Sequence, residues 1–322
     1  MDVVIPTLWG GEMLRACVAS LLDQRPSPAS VTIVANGTGA EVSARLFHEP
    51  PVRVIALPEN IGFARAVNRG WRDGTQRWVL VLNDDVVLGP EFMAAFEDRR
   101  GTLPEEVKCL AAVLWEAGSV RAVHSAGLCL TPYGYGNRSQ FRGSVIAPPR
   151  QEVVAPCGAC GLYERGAMSR VGGFPEDFFF LFEDWEVGLR MQALGATCTV
   201  EPDLSATHVG SATLRQFPRR RLYEGMKNWL VAASRGLPNE FWAAHGCEVL
   251  SFARKSLVSM REAGAEEEVD AALTTYQSLL PAIRAARGEL AESAMPGWND
   301  RLEALMYRGP VAIEAGPASI NH

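Results

Sequence analysis

The chain has 322 residues, enough for two domains or one large one, and its 48% hydrophobic and 21% charged residues are the balance of an ordinary globular protein. A formal net charge of -6 argues against a dedicated nucleic-acid binder, and no uninterrupted apolar run approaches the roughly 20 residues that cross a bilayer. The seven cysteines are odd in number and scattered, which is not the pattern of a disulfide framework. Cys157 and Cys160 have C-x-x-C spacing without a second Cys/His pair at zinc spacing, so they read as structural.

Met1 to Pro6 opens directly into a strand-like run without a charged, apolar, small-residue leader, which reads as a cytoplasmic protein. Val3 to Pro6 predict a first strand, followed by a Gly-Gly loop and a helix over Met13 to Leu22 with Leu14, Val18, Leu21 and Leu22 on one face. Val31 to Val34 predict a second strand, ending in the turn Ala35-Asn36-Gly37-Thr38, and Val52 to Leu57 a third. Asn60-Ile61-Gly62-Phe63 then leads into a helix that aligns Phe63, Val67 and Trp71, and Trp78 to Leu82 form an apolar strand. This βαβα alternation predicts a parallel, doubly wound sheet in the manner of a nucleotide-binding half. Neither G-x-x-x-x-G-K-[ST] nor G-x-G-x-x-G is present, which argues against a P-loop enzyme or a dinucleotide dehydrogenase.

The apolar strand ends in Asn83-Asp84-Asp85. Adjacent carboxylates repel and lose solvation unless something positive lies between them, and in open α/β sheets the ligand site lies beyond the carboxyl ends of the strands. A divalent cation and an acidic turn feeding the next helix are both consistent with this step. If a diphosphate binds here, a metal on the acidic step must hold it.

The series V-V-I-P-T, V-A-N-G-T, N-I-G-F-A-R-A-V-N-R-G, L-V-L-N-D-D-V, G-A-C-G-L-Y-E-R-G-A-M-S-R-V-G-G-F and F-F-F-L-F-E-D-W-E-V-G-L-R, with His208 after it, resembles a family 2 glycosyltransferase of the rhamnosyltransferase-like subgroup. The resemblance covers roughly residues 1 to 235. It implies an α/β GT-A nucleotide-diphospho-sugar transferase fold: a mostly parallel mixed sheet flanked by helices, with a helical C-terminal region. The expected organisation is a catalytic domain over 1–215 (nucleotide half 1–100, acceptor half 101–215), a helical region over 216–310 and a tail over 311–322.

By the same resemblance, Asp85 and His208 would coordinate Mn2+ or Mg2+, and hard oxygen ligands suit both ions. Asn83 and Asp84 would lie beside the metal near the ribose and donor sugar. Pro6, Thr7 and Asn36 take the family's base and ribose positions, Arg65 and Asn68 match the helix that faces the nucleotide, and Gly158 and Ala159 belong to the donor-sugar wall. The sequence departs from the family at Ala35, where an Asp commonly recognises the pyrimidine ring.

Asp184 is the expected general base, with Glu183 beside it binding or orienting the acceptor. The aromatic run Phe178 to Phe182 would exclude water around Asp184, while the start of the following helix would favour its ionised form. The bland reading is an acidic N-cap after a core strand. One carboxylate without a paired nucleophile implies a single displacement with inversion.

Beyond the catalytic part, Arg219-Arg220-Arg221 and Lys227-Asn228 read first as solvated charge, or as groups reaching a phosphate. Asn239 to Ala263, Glu266 to Ala286 and Gly288 to Tyr307 predict three helices, and a basic amphipathic segment in the first leaves open packing on the catalytic domain, a homodimer or a peripheral membrane contact. Gly309 onward predicts a frayed tail. The function expected is an inverting, metal-dependent transfer of a sugar from a nucleotide diphosphate, dTDP-rhamnose or a UDP-sugar, to a hydroxyl acceptor in cell-surface polysaccharide or glycoconjugate synthesis. The alternatives are glycosylation of a small secondary metabolite, a nucleotidyltransferase on a similar sheet, and a non-catalytic sugar or partner binder.

Overall fold

A computed structural model describes residues 1–37, 50–118, 122–134, 140–210 and 216–308. The first elements are β1 (Asp2–Thr7), α1 (Glu12–Leu22), β2 (Ser30–Asn36), β3 (Val52–Leu57), α2 (Phe63–Trp71), β4 (Trp78–Leu82), β5 (Val86–Leu88) and α3 (Phe92–Arg100). They are followed by β6 (Val107–Glu116), β7 (Val123–Ser125), β8 (Glu152–Val153), β9 (Cys160–Glu164), α4 (Arg165–Arg170), α5 (Glu183–Ala193) and β10 (Thr197–His208). Helices α6 (Pro218–Gly236), α7 (Asn239–Glu262), α8 (Glu266–Ser293) and α9 (Trp298–Ala304) complete the described chain.

The sheet runs β3-β2-β1-β4-β9-β6-β10-β5, with β7 on β6 and β8 on β10. Strands β1 to β4 are mutually parallel and β10 is parallel to β6. β9 runs antiparallel between β4 and β6, and β5 closes the far edge antiparallel to β10. The mixed, mostly parallel sheet is therefore the one expected, and its parallel strands end on one side.

Both faces of the central strands are buried, which explains their unbroken apolar sequences. Val3, Ile5, Leu80 and Leu82 join the cluster beneath α1 and α3, with Leu14 and Phe96. The alternate residues Val4, Val79 and Val81 join the opposite cluster, with Val67 and Trp71 of α2 and Val187 and Met191 of α5. The other side of α5 carries Trp185 and Leu189 into a third cluster with Trp229 of α6, Phe241 of α7, Val269 of α8 and Leu302 of α9. Helix α5 is thus the joint between the sheet and the helical region.

The structure corrects several expectations. Helix α8 runs unbroken through Pro281 and past Ala286 to Ser293, and α9 spans only Trp298–Ala304. Pro281 removes one helical hydrogen bond, but Ile283 and Leu290, two turns apart, are both buried in the helical cluster and hold the segment in register. The expected strand over 197–201 and the extended 202–206 are one strand, with a register shift between Glu201 and Ser205 around Pro202, which has no donor for the ladder. Phe178 to Phe182 form no strand. The sequence reading assigned no elements to 101–155, where the structure has the long buried strand β6. The tail expected over 311–322 lies outside the described residues, as does the boundary at 215. Among the described residues no helix is long and apolar enough to cross a membrane.

Close contact fixes α5. A Cβ at Gly188 would lie 2.3 Å from Ala155 Cβ and 3.0 Å from Val154 O. We predict that Gly188→Ala destabilises the protein by about 1–3 kcal/mol through overpacking, against a helix-propensity gain of about 1 kcal/mol. Denaturant unfolding checks this; a variant as stable as wild type would show that α5 does not press on that strand edge.

Candidate active site

The carboxyl ends of β1, β4 and β10, the turn before β9 and the amino end of α5 meet around a cavity of about 360 Å³. Of the residues singled out from sequence, Pro6, Thr7, Asn36, Asn83, Asp84 and Asp85 line it from the nucleotide half. Gly158, Ala159, Glu183, Asp184 and His208 line it from the other half.

At the end of β4, Asn83 N donates to Ala159 O at 2.9 Å, which ties the acidic step to the turn at residues 157–159. Thr7 Oγ1 donates to Asp84 Oδ2 at 2.5 Å and accepts from Gly10 N at 3.0 Å. Burial pushes Asp84 up to about 6, the Thr7 hydroxyl opposes that, and the charge of Asp85 adds to it.

Asp85 reaches His208 through strand pairing. β5 pairs antiparallel with β10, with Val86 opposite His208, and Val209 N donates to Asp85 O at 3.0 Å. The result is 3.2 Å between His208 Nε2 and Asp85 Oδ1, both buried. Despite that approach the two atoms do not meet in hydrogen-bonding geometry, and both lack a hydrogen-bond partner, as do His208 Nδ1 and Asn83 Oδ1. Buried polar atoms without partners need an explanation. A separation near 3 Å is that of neighbouring ligands on one small cation, so the donor set fits a divalent metal. Among the described residues no cluster of three or more His, Cys, Asp or Glu forms, so two protein ligands would leave most of the coordination shell to substrate and water.

On the opposite wall Asp184 Oδ2 accepts from Gly158 N and Oδ1 from Trp185 N, each at 2.8 Å. A Cβ at Gly158 would lie 3.2 Å from Asp184 Oδ2, so the seat is closely fitted. Burial raises Asp184 above the usual carboxylate range, opposed by these two N–H groups. Beside it Glu183 Oε2 is buried without a partner, and burial plus the Asp184 charge push its carboxyl up to about 8, with its own backbone N–H opposing them. Burial thus pushes both carboxyls up, and the two N–H groups on Asp184 oppose that rise.

The run before them is a turn. Leu181 and Phe182 take left-handed backbone, φ 71° and 69°, at a cost of order 1–3 kcal/mol each for residues with side chains. Phe63 N donates to Phe179 O, and a Cβ at Gly62 would lie 2.8 Å from that oxygen, so α2 begins against this turn. From α6, the Arg220 guanidinium lies 3.3 Å from the Phe179 ring centre. Asn228 donates to Phe180 O and Leu181 O at 2.8 and 2.9 Å.

Lys227 and Asn228 are thus buried, contrary to the solvated-charge reading, with the Lys227 ammonium 2.7 Å from Glu224 Oε2. Arg65 and Asn68 do not line the cavity. Arg65 donates to Glu176 O. Asn68 is wholly buried: it donates to Phe174 O and Glu176 Oε1 and accepts from Trp71 Nε1 and Phe174 N, so its amide braces α2 against the turn Gly172-Gly173-Phe174. Asn36 lines the cavity, but its amide is engaged by Asn60, Gly62 and Ile61. Ala35 is fully buried. Cys157 and Cys160 are free thiols; Cys157 lines the cavity, and burial pushes it up to about 12.

Among the cavity residues that the sequence reading missed are His124, Ser125 and Arg142. The His124 ring meets His208 edge to face at 4.6 Å between centres. No spacing signal marks His124 and Ser125, because β7 reaches the site by pairing with β6.

Comparison with known proteins follows this geometry. The family model described as glycosyltransferase like family 2 matches residues 1–226. An N-acetylglucosaminyl-diphospho-decaprenol L-rhamnosyltransferase of Mycobacterium tuberculosis is 28% identical over 234 residues, 65% of this chain and 75% of that protein. A mannosyltransferase of Pyrobaculum calidifontis in complex with GDP-Man and Mn2+ superposes with a TM-score of 0.50 at 16% identity, over 94% of this chain and 84% of the other. Residues 1–349 of S. aureus TarS in complex with UDP-GlcNAc give 0.53 at 16% identity, over 98% and 94%. The model match over most of the chain, with the sheet order found here, shows that the protein belongs to glycosyltransferase family 2: it is a glycosyltransferase of the GT-A fold, rhamnosyltransferase-like in sequence.

Proposed function

We propose that this glycosyltransferase moves a sugar from a nucleoside-diphosphate donor to an acceptor hydroxyl with inversion, and that Asp184 is the general base. The observation that carries the reading is the seat of Asp184, whose carboxylate is fixed by two backbone N–H groups in the cavity that also holds Asp85 and His208. Asp85 and His208 would hold Mn2+ or Mg2+, which supplies positive charge to the diphosphate as it leaves. Two relatives in fold are complexes with nucleotide sugars, one of them with Mn2+.

The chain's own groups then have separate tasks. Asp184 accepts the proton of the acceptor hydroxyl as that oxygen attacks the anomeric carbon from the face opposite the diphosphate. Glu183, whose carboxyl burial pushes up, would in its protonated form add no second charge and donate a hydrogen bond to the acceptor. Phe179, Phe180 and Leu181 shield this wall of the cavity from water, and Thr7 fixes the direction of Asp84. With the Asn36 amide engaged and Ala35 buried, the base would be read by Pro6, Leu8, Asn60 and Phe63, which line the same end.

The likeness to an L-rhamnosyltransferase with a diphospholipid acceptor favours dTDP-rhamnose over a UDP-sugar, and a lipid-linked saccharide over a small metabolite. Arg142 and Arg221 line the cavity and suit phosphate on such an acceptor. The role would be in cell-surface polysaccharide or glycoconjugate synthesis.

Asp184→Asn keeps the shape of this seat and one of its two acceptor oxygens but removes the base. Turnover should fall by about 10²–10⁴-fold while nucleotide binding persists; turnover near wild type would refute Asp184 as base.

The raised Glu183 carboxyl also sets a stability profile. Between the ordinary carboxylate value and about pH 8 the folded chain keeps a proton that the unfolded chain releases, so this group's contribution to stability falls as pH rises through that window. Glu183→Gln removes that dependence, and its melting temperature should gain on wild type from pH 5.5 to 8. Parallel profiles for the two proteins would show that Glu183 is already ionised.

A further inference from the structure

The turn that delivers Asp184 is held by a residue of the helical region, and its geometry is costly without that support. Leu181 and Phe182 are the two non-glycine residues with positive φ among the described residues, and they immediately precede Glu183-Asp184. Phe182 is also the residue at which α5 begins, so the backbone there sets the direction of the first helical turn. Asn228 is wholly buried, and its Nδ2 donates to Phe180 O at 2.8 Å and to Leu181 O at 2.9 Å, the two carbonyls that frame the left-handed step. Its Oδ1 is buried with no hydrogen-bond partner. The side chain is therefore placed for its two N–H groups, at the expense of its own oxygen, which is not what a residue selected for packing alone would show.

Neighbouring groups on α6 act on the same turn. Lys227 Nζ donates to Asp177 O at 3.2 Å, and Arg220 covers the Phe179 ring. If the left-handed step relaxed, the start of α5 would rotate and carry Asp184 away from Gly158 N, where its carboxylate is closely seated.

We propose that Asn228 is a positioning residue for the base, so that the helical region, through α6, fixes the aim of Asp184. The inference rests on the reading of Asp184 as base. Asn228 lies beyond residues 1–226, the span of the family match, so that match assigns it nothing.

The test measures release of nucleoside diphosphate from the donor that the wild-type chain turns over, together with calorimetric binding of that diphosphate. Asn228→Ala should lower kcat by roughly 100-fold, the loss expected for a small misplacement of a reacting group, with the donor KM and diphosphate affinity within about threefold of wild type. Adding Leu181→Gly, which makes left-handed backbone easy, should restore part of kcat. Ser234→Ala, which removes a bond from the far end of α6 to Tyr276, should leave kcat unchanged. Should Asn228→Ala not fold, Asn228→Ser, whose hydroxyl can still donate to one carbonyl, carries the same expectations. An unchanged kcat in the Asn228 variant, or a fall in kcat matched by lost diphosphate binding and not relieved by Leu181→Gly, would overturn the proposal. Failure of the base reading is separately visible, because Asp184→Asn would then retain turnover whatever the Asn228 variants do.

Discussion

Glu183 and Asp184 occupy adjacent positions at the buried amino end of α5, where water solvates neither. Two ionised carboxylates cannot share such a site without a large penalty. The surrounding structure answers by making the two positions unlike. Gly158 and Trp185 give Asp184 two N–H donors, while Glu183 Oε2 is buried without a partner and its carboxyl is pushed up to about 8. The seat brings the turn at 157–159 close to the carboxylate, where a Cβ at Gly158 would lie 3.2 Å from Asp184 Oδ2, and α5 starts at the angle that the left-handed pair Leu181 and Phe182 provides. From this follow the tie between Asn83 and Ala159, the pressure of α5 on Ala155 and the grip of α6 on the aromatic turn.

The second constraint is electrostatic and lies across the cavity. Asp85 and His208 come from strands distant in sequence and are brought together by the antiparallel pairing of β5 with β10. Their polar atoms face each other at 3.2 Å without hydrogen bonding. A cation between substrate and these two groups would resolve that arrangement. The proposed division of labour would then place positive charge at the diphosphate end and the Asp184 carboxylate at the acceptor end.

Much of this was legible in the sequence because its signals are local. The apolar run Trp78 to Leu82 has the composition of a strand buried on both faces, and the acidic step at its end, consistent alone with a cation site or a turn, marks the site once the order of motifs is added. The order of motifs brought Asp184 and His208 into view. What escaped was whatever depends on how distant segments meet. Periodicity shows that Asn68 is on a helix but not that its amide is consumed by Phe174 and Glu176. Lys227 looked like solvated charge because Glu224, its partner, is legible only as another surface acid. His124 has no motif, and its place beside His208 follows from the pairing of β7 with β6. The helix end expected at Ala286 lies further on, at Ser293, because the packing of Leu290 into the helical cluster has no local sequence signal.

The central claim is that one cavity unites a metal-assisted diphosphate site with a separate base. Calorimetric titration with dTDP, UDP and GDP, each with and without Mn2+, on wild type and Asp85→Ala, tests it most directly. The account predicts that one diphosphate binds tightly only with the metal present and that Asp85→Ala abolishes this binding. Equal binding without metal, or metal-dependent binding that survives Asp85→Ala, would contradict it.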